Sequence, residues 1–408
     1  MGGDSGRSER PRVAVVTPVM APYRTPAFNA LAARGDVELL VLYQSETSPI
    51  HGWEPEQEAA RFRFEVLPYV AAFGSGFRRV WLSRGVVRHL ARFRPDVVVL
   101  GGANQPFTWE IFAARRVLGY QTWIWVESTA KDARSGGWVR EIVKRALVRW
   151  ADGILVPGRA SRDYALSMGV DPDRVRFVPN AVDVQGFSAS AAEAAQEREA
   201  IRERLGLEGT VFTFVGRMVR EKGIFDLLEA FERSAETLRT SGEKCTLLVA
   251  GDGPDMEAFS ERVRSRDIGG VVTVGFVQQT ELPTLLAASD VLVFPTWSDA
   301  WGMILNEAQA CGLPAIVSDV AGASADLLDG TGAGLLVPAH SPRGLAEAMT
   351  TLATDESLRS SMSQAARKIS QRFTPEVCAA GFAEMAQLAG CRAAARAADT
   401  RGSVAHSG

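Results

Sequence analysis

The segment DVLVFPTWSDAWGMILNEAQACGLPAIVSD, residues 290–319, decides the fold of this 408-residue chain. The apolar run DVLVFPT (290–296) predicts a buried strand, and PAIVSD (314–319) predicts a second one after a helical stretch. Two buried strands joined by a helix imply a right-handed crossover between parallel neighbours. The segment therefore predicts an α/β fold built on a parallel sheet.

The same alternation of strand and helix extends to both sides of this segment. In the second half it adds the strand candidates 210–216, 245–251, 270–276 and 332–338. In the first half it adds the candidates 12–19, 36–44, 95–102, 121–128, 152–158 and 174–180. We predict two tandem Rossmann-like, doubly wound parallel-sheet domains, and we expect ligands in the cleft between them.

The Ala- and Glu-rich segment 185–204 contains few large apolar residues and is interpreted as a linker with a surface helix. It would separate an N-terminal domain, residues 12–184, from a C-terminal domain, residues 205–370. Residues 371–395 are predicted to form a helix that packs back on the N-terminal domain. The two ends, residues 1–11 and 396–408, are expected to be disordered tails.

Composition excludes several classes of protein. The net charge of −3 argues against a dedicated nucleic-acid binder. Four cysteines without CxxC spacing favour a reduced, cytoplasmic protein, and we expect neither a signal peptide nor a membrane span. Residues 1–184 carry 25 − 19 = +6 charges and residues 185–408 carry 20 − 29 = −9, so the two halves are expected to have different roles.

The motif GRMVREKG (216–223) combines a turn-forming Gly216 with two cations, Arg217 and Lys222, before a predicted helix. A helix N-terminus carries partial positive charge and free N–H groups. The combination favours diphosphate binding, although a basic loop on a solvated surface explains the motif equally well.

The motif DAWGMILNEAQACG (299–312) places Asp299 in a loop and Glu307 about one and a half turns into the next helix. Such carboxylates can accept hydrogen bonds from sugar hydroxyls. Alternatively, Asp299 only caps the helix and Glu307 lies on the surface. The small and apolar neighbours of Glu307 instead indicate burial, and a buried carboxylate needs a partner.

Taken in order with GDGP (251–254), VGFV (274–277) and GAGLLVP (332–338), these motifs resemble the donor domain of glycosyltransferase family 4. PNAVD (179–183) is similar to the interdomain element of that family. APYRTPAFNALA (21–32) resembles the amino-terminal segment of its bacterial members. The resemblance covers about residues 12–390 and implies a GT-B fold, a nucleotide-sugar donor, retention of anomeric configuration and no metal cofactor.

The resemblance also implies roles for single residues. Arg217 and Lys222 would hold the donor diphosphate, while the family's Glu-x7-Glu pair reads Asp299-x7-Glu307, with Asp299 on the transferred sugar and Glu307 on the ribose. Tyr23 and Asn180 would lie on the acceptor or interdomain side. Further donor contacts are expected from Gly216, Gly251, Asp252, Val277, Ile304 and the backbone N–H groups of Trp301, Gly302 and Met303.

Family members often carry a histidine near the end of a first-domain strand, where this chain has WIWVEST and Glu127. Glu127 could orient or deprotonate the acceptor hydroxyl. The equal alternative is an ion pair with Lys131 or Arg134. With only four histidines in the chain, of which His51 alone is expected near an acceptor, no histidine base is evident.

Three further patterns are weaker. Asp171-Pro172-Asp173 matches a DxD metal motif but sits in a turn that Pro and Asp favour without metal. The absence of GxGxxG after the first strand disfavours a dinucleotide oxidoreductase. The basic stripe Arg84, Arg88 and Arg92, and Lys144 with Arg145 between Trp138 and Trp150, favour a solvated face over contact with anionic lipid or a phosphorylated acceptor.

The sequence therefore predicts a retaining, metal-independent glycosyltransferase (EC 2.4 class). It would move a sugar from a nucleoside-diphosphate donor to a hydroxyl of an envelope glycan, glycolipid or secondary metabolite. The alternatives are a nucleotide-sugar epimerase on the same scaffold and a non-catalytic nucleotide-sugar binder. The expected location is cytoplasmic, with at most weak peripheral contact with an anionic membrane.

Overall fold

Two parallel sheets, each covered by helices on both faces, organise the chain. The computed structural model describes residues 10–45, 57–73, 80–102, 105–131 and 137–405. This architecture confirms the predicted α/β class with two Rossmann-like domains. Among the described helices, none combines the length and the apolar character needed to cross a bilayer.

The first sheet has seven parallel strands in the order β3-β2-β1-β6-β7-β8-β9. Val-, Ile- and Leu-rich runs form its central strands because both faces are covered, and every residue of β6 and β8 is buried. Its strands are β1 Arg12–Val19, β2 Glu38–Ser45, β3 Arg63–Val66, β6 Val97–Leu100, β7 Gln121–Trp125, β8 Gly153–Val156 and β9 Val175–Phe177. An antiparallel pair, β4 Tyr69–Phe73 and β5 Val80–Ser83, stands apart.

The strand order of this sheet reverses between β1 and β6, which makes that point the switch point where ligands of such sheets bind. One face of the sheet packs on α1 Thr25–Arg34, and the opposite face is covered by the remaining first-domain helices. Those helices are α2 Val86–Phe93, α3 Phe107–Leu118, α4 Gly137–Trp150 and α5 Arg159–Ser167.

The second sheet has six parallel strands in the order β12-β11-β10-β13-β14-β15, with its own switch point between β10 and β13. Its strands are β10 Thr210–Val215, β11 Cys245–Ala250, β12 Val271–Gly275, β13 Val291–Phe294, β14 Ala315–Ser318 and β15 Gly334–Val337. Its helices are α8 Ile224–Thr240, α9 Met256–Ser265, α10 Leu282–Ala287, α11 Met303–Ala310, α12 Ser324–Leu327, α13 Pro342–Thr354 and α14 Glu356–Ser370.

The segment interpreted as a linker, residues 185–204, differs from that expectation. It folds as α6 Val184–Ala194 and α7 Arg198–Leu205, and Phe187 and Ile201 are buried in the core of the second domain. Arg198 and Arg202 both bind the Asp290 carboxylate at the start of β13, at 2.6 and 3.2 Å. The two helices are therefore part of the second domain, and the chain passes between the domains just before Asp183, which caps α6.

The terminal helix, α15 Pro375–Ala405, returns to the first domain. Phe382 is fully buried there, with its ring centroid 5.2 Å from Trp125 and 6.1 Å from Phe28. The helix continues beyond residue 395, where the sequence predicts a tail to begin. Of the predicted N-terminal tail, residues 1–9 lie outside the described residues.

Candidate active site

The carboxyl edges of the two sheets meet. Lys131 beyond β7 lies 3.6 Å from Asp319 beyond β14, and the Arg159 N–H donates to Asp326 of α12 at 2.9 Å. Gly158, the N-cap of α5 after β8, is packed so closely that an added Cβ would lie 2.7 Å from the Trp301 ring. The domain interface is thus built from the strand ends at which Rossmann-like sheets bind ligands.

In the second domain, the ends of β10, β11 and β12 converge. The Gly251 N–H donates to the Gly275 carbonyl at 2.7 Å, and the Gly216 N–H donates to the Ala250 carbonyl at 3.0 Å. Gly251 adopts φ 146°, and any Cβ there would overlap the carbonyl oxygen of Gly216. This position therefore requires glycine, which allows the ends of β10 and β11 to approach closely.

The predicted diphosphate motif forms the loop that leaves the end of β10. Arg217 is partly exposed, and Lys222 ends a short 3-10 turn, Arg220–Lys222, before α8 begins at Ile224. The Lys222 ammonium forms an ion pair with Asp299, and both side chains are about one-fifth exposed, at 20% and 21%. The pair therefore joins the β10 loop to the β13 loop while leaving both groups reachable from the cleft.

Asp299 does not cap the helix that follows it. The N-cap of α11 is Gly302, with φ 97°, and no side chain caps this helix. Asp299 instead accepts the Trp301 N–H at 3.1 Å. The N–H of Trp301, predicted to contact a donor, is therefore already used, while the N–H groups of Met303 and Ile304 belong to a first turn that leaves them without partners inside the helix.

The Trp301 side chain has a structural role as well. Its ring is buried, its Nε1 donates to Asn306 at 2.8 Å, and its centroid lies 6.0 Å from Phe373. Asn306 in turn donates to the main-chain carbonyl of Asn180 at 3.1 Å. Asn180 is therefore an interdomain residue that acts here through its backbone, as part of the connection that fixes the start of α11.

Glu307 is buried, which confirms the inference from its apolar neighbours; 9% of the residue is exposed. Its carboxylate accepts a hydrogen bond from Gln279 at 3.3 Å. Burial raises the pKa of Glu307 to about 7, and the Gln279 hydrogen bond only partly opposes that effect. Val277 packs against the second-domain core to which α11 belongs, so the loop after β12 and the helix α11 together enclose the Glu307 carboxylate.

Glu127 has a partner different from both that the sequence suggested. Arg24 donates to its carboxylate at 3.0 Å. Lys131 instead donates to the Asp319 carbonyl at 3.1 Å, and Arg134 lies outside the described residues. Arg24 was not singled out from the sequence, although it lies within APYRTPAF, just after the strand β1 that borders the switch point.

Tyr23 lies beside this pair, with its ring centroid 5.7 Å from the Arg24 guanidinium carbon. Burial raises the pKa of its hydroxyl, whereas the Arg24 guanidinium lowers it. The Glu127 and Asp299 carboxylates, one from each domain, raise this pKa further. Tyr23 is thus linked electrostatically both to Glu127 of its own domain and to Asp299 of the second.

Other sequence predictions fall outside this cluster. The exposed Asp252 accepts the Met218 N–H through its carbonyl at 3.0 Å and so supports the same loop. Asp171 caps the 3-10 turn Pro172–Arg174 by accepting the Asp173 N–H, which confirms the turn interpretation of the DxD match. His51 lies outside the described residues, within which no cluster of three or more His, Cys, Asp or Glu could hold a metal.

Two facing Rossmann-like domains, with a cleft lined by cations, carboxylates and a helix N-terminus, define the GT-B architecture. Family models match both domains: "Glycosyl transferase 4-like domain" over residues 20–181 and "Glycosyl transferases group 1" over residues 197–369. The chain belongs to the group 1 glycosyltransferases, glycosyltransferase family 4.

Similar proteins agree with this assignment. The D-inositol 3-phosphate glycosyltransferase of Xylanimonas cellulosilytica is 30% identical over 63% of this chain and 62% of its own length. The alpha-D-kanosaminyltransferase of Streptomyces kanamyceticus is 26% identical over 61% and 65%. The chain thus spans less than two thirds of either relative. Anabaena HepE in complex with UDP shares the fold, with a TM-score of 0.72, 17% identity and coverage of 92% of this chain and 99% of HepE.

Proposed function

We propose that this protein is a retaining glycosyltransferase that moves a sugar from a nucleoside-diphosphate donor to an acceptor hydroxyl. The observation that carries the proposal is the Lys222–Asp299 ion pair at the interface, with the start of α11 on one side and Tyr23, Arg24 and Glu127 on the other. A cation pairs with a departing diphosphate, and a carboxylate binds sugar hydroxyls, so both halves of a transfer reaction have a place there.

The second domain supplies the donor site. Arg217, Lys222 and the first-turn N–H groups of α11 would bind the diphosphate, and Glu307 would accept hydrogen bonds from the ribose diol. Gly216, Gly251 and Val277 would line the nucleoside pocket, and Asp299 would hold the transferred sugar. The UDP complex of HepE supports a uridine nucleotide as the first donor to test.

During transfer, the bond from the anomeric carbon to the diphosphate oxygen breaks and a bond to the acceptor oxygen forms. Negative charge builds up on the departing diphosphate, and Lys222 and Arg217 stabilise it in a preorganised site. Glu127 accepts the hydrogen bond of the acceptor hydroxyl, orients its oxygen and takes up its proton as the new bond forms. These groups meet the charge requirements of the step, and we therefore propose a metal-independent reaction.

The first-domain cluster favours a transferase over the two alternatives. An epimerase or a simple binder needs no acceptor, whereas Glu127, with a side chain one-third exposed (33%), stands across the interface from the donor loop. The relatives named above are a D-inositol 3-phosphate glycosyltransferase and an alpha-D-kanosaminyltransferase. We propose a polyhydroxylated acceptor from an envelope glycan, a glycolipid or a secondary metabolite.

We also propose peripheral contact between α3 and α4 and an anionic bilayer. Five large apolar side chains of these helices are exposed, among them Trp138 at 76% and Trp150 at 57%, together with Trp109, Val117 and Ile142. The two helices carry six Arg or Lys and two Glu, and their C-terminal ends are adjacent because Arg115 donates to the Trp150 carbonyl at 2.8 Å. Tryptophan beside arginine suits a lipid headgroup region.

Flotation with phosphatidylglycerol vesicles tests this contact. Wild-type protein should float, and Trp138→Ser with Trp150→Ser should reduce the floating fraction; failure of the wild type to bind anionic vesicles refutes the contact.

The free thiols of Cys245, Cys311 and Cys378 support our proposal of a reducing, cytoplasmic location.

A panel of nucleotide sugars tests the proposed activity. Purified protein is first screened for thermal stabilisation, because a ligand that binds the folded state raises its melting temperature. Stabilising donors are then incubated with and without polyol acceptors. Release of nucleoside diphosphate with glycosylated product supports the transferase, epimerised donor supports the first alternative, and unchanged bound donor supports the second.

A further inference from the structure

We infer that Arg24 is a positioning residue, which holds the Glu127 carboxylate in the orientation that an acceptor hydroxyl requires. The inference rests on the proposed function and adds to it a residue of the acceptor side. Arg24 itself is too enclosed to touch an acceptor, since 9% of its side chain is exposed.

The guanidinium of Arg24 is fixed from several directions. One nitrogen, Nη2, donates to Glu127 at 3.0 Å, and the other, Nη1, donates to Thr17 of β1 at 3.2 Å. Its plane lies over the Trp125 ring at 4.5 Å. These contacts come from β1, from the last residue of β7 and from Glu127, two residues beyond β7. The arginine therefore links the carboxyl ends of two strands that lie on either side of β6.

The energetics of this residue disfavour a purely structural role. A buried ion pair is usually no more stabilising than apolar residues of the same volume. Within the described part of the chain, Arg24 Nε is also buried without a hydrogen-bond partner, which is unfavourable for folding. A core position would be filled more stably by an apolar side chain, so the arginine is best explained by the group that it holds.

That group, the Glu127 carboxylate, is partly accessible to solvent. Glu127 is 33% exposed on its side chain while its partner is enclosed, and its carbonyl is fixed by the Ser161 hydroxyl at 3.0 Å. The carboxylates of Glu127 and of Asp299 in the donor loop both raise the pKa of the nearby Tyr23 hydroxyl. An acceptor hydroxyl between the two domains would therefore meet a carboxylate whose direction is set by Arg24 from behind.

The inference predicts a specific kinetic pattern in Arg24→Gln, measured on any donor that the wild type turns over, with water as the acceptor until a better one is known. The turnover rate should fall about 100-fold, as expected for a misplaced reacting group. The affinity for UDP should stay within about twofold, because donor contacts are in the other domain. Arg24→Lys, which keeps the charge and one hydrogen bond, should recover part of the rate.

A double-mutant cycle separates positioning from other roles. If Arg24 acts through Glu127, then Arg24→Gln should add little to the loss seen in Glu127→Gln. Arg12→Gln is the matched control, because Arg12 forms a similar pair with Glu38, at 2.9 Å, at the opposite end of β1. It should leave the turnover rate unchanged.

Thr17→Val keeps the inference testable if Arg24→Gln does not fold. It removes one acceptor of Arg24 at nearly constant volume, and the rate should fall several-fold with unchanged UDP affinity. Unchanged rates in folded Thr17→Val and Arg24→Lys, additive losses in the cycle, or parallel loss of UDP affinity would overturn the inference. A wild-type protein that turns over no nucleotide sugar would instead refute the proposed function, and the two failures are therefore distinguishable.

Discussion

Replacing Glu307 by glutamine removes the one enclosed acid that we assign to the donor ribose. The glutamate is 9% exposed, and burial raises its pKa from 4.5 to about 7. Glutamine keeps the shape and can still pair with the Gln279 amide, but it does not titrate. Any pH-dependent difference between the two proteins therefore reports the ionisation of this carboxylate.

The size of the expected change in stability follows from the pKa shift of Glu307. Between pH 4.5 and about 7, the folded protein keeps a proton on Glu307 that the unfolded chain has lost. The stability that this proton contributes is complete below pH 4.5 and is lost as the pH rises through about 7. A shift of that size corresponds to about 3 kcal/mol at 1.36 kcal/mol per pH unit.

Urea unfolding at pH 5 and at pH 8 measures this pH-dependent contribution of Glu307 to the free energy of unfolding. Relative to the wild type, Glu307→Gln should gain about 2–3 kcal/mol in the free energy of unfolding between the two pH values. Glu243→Gln, at an exposed position of the same domain, controls for the change of charge alone. If the free energy of unfolding depends on pH in the same way for wild type and Glu307→Gln, the conclusion that Glu307 is buried with a raised pKa is refuted.

Nucleotide binding extends the same test to function. Ribose hydroxyls that donate to Glu307 favour its ionised form, so UDP affinity in the wild type should rise with pH through about 7, relative to the variant. At pH 8, Glu307→Gln should bind UDP about 10- to 100-fold more weakly, as expected for loss of hydrogen bonds to a charged group. Equal affinities across this range would contradict the ribose role.

Two further substitutions test the scaffold. Gly251→Ala should destabilise the protein by about 2 kcal/mol or more in urea unfolding and abolish nucleotide binding, because its Cβ overlaps the Gly216 carbonyl; Gly242→Ala, also at positive φ but in open space, should cost less and leave binding intact. Phe382→Ala should cost about 3–5 kcal/mol, because it empties a fully buried site between α15 and Trp125; a loss below about 1 kcal/mol would show that α15 does not stabilise the first domain.

The elements that the sequence predicts well are those with strong local signals. The Val-rich strands are buried on both faces, so their apolar runs identify them without tertiary information. The segment 185–204 differs from the prediction because its buried face uses alanine beside Phe187 and Ile201, and alanine suits a surface helix equally well. A weak apolar stripe of this kind is resolved only by the surface that it packs against.

Contacts between residues far apart in the sequence explain the other points at which the site differs from its sequence-based prediction. Arg24 and Glu127 are 103 residues apart, and nothing in the local sequence relates them. Their meeting depends on strand order, because β1 and β7 flank β6 in the sheet. Similarly, the N–H of Trp301 looked free for a donor because the loop conformation that turns it onto Asp299 is not encoded in a motif.

The Lys222–Asp299 pair is the centre of the proposed chemistry, so the most direct test is the rate of nucleoside-diphosphate release from a nucleotide sugar by Lys222→Met. The control is Lys244→Met, which removes an exposed lysine that pairs with Glu208 in the same domain. We expect a loss of about 10²–10³-fold for Lys222→Met and wild-type turnover for Lys244→Met. A folded Lys222→Met variant with near-wild-type turnover would contradict this expectation.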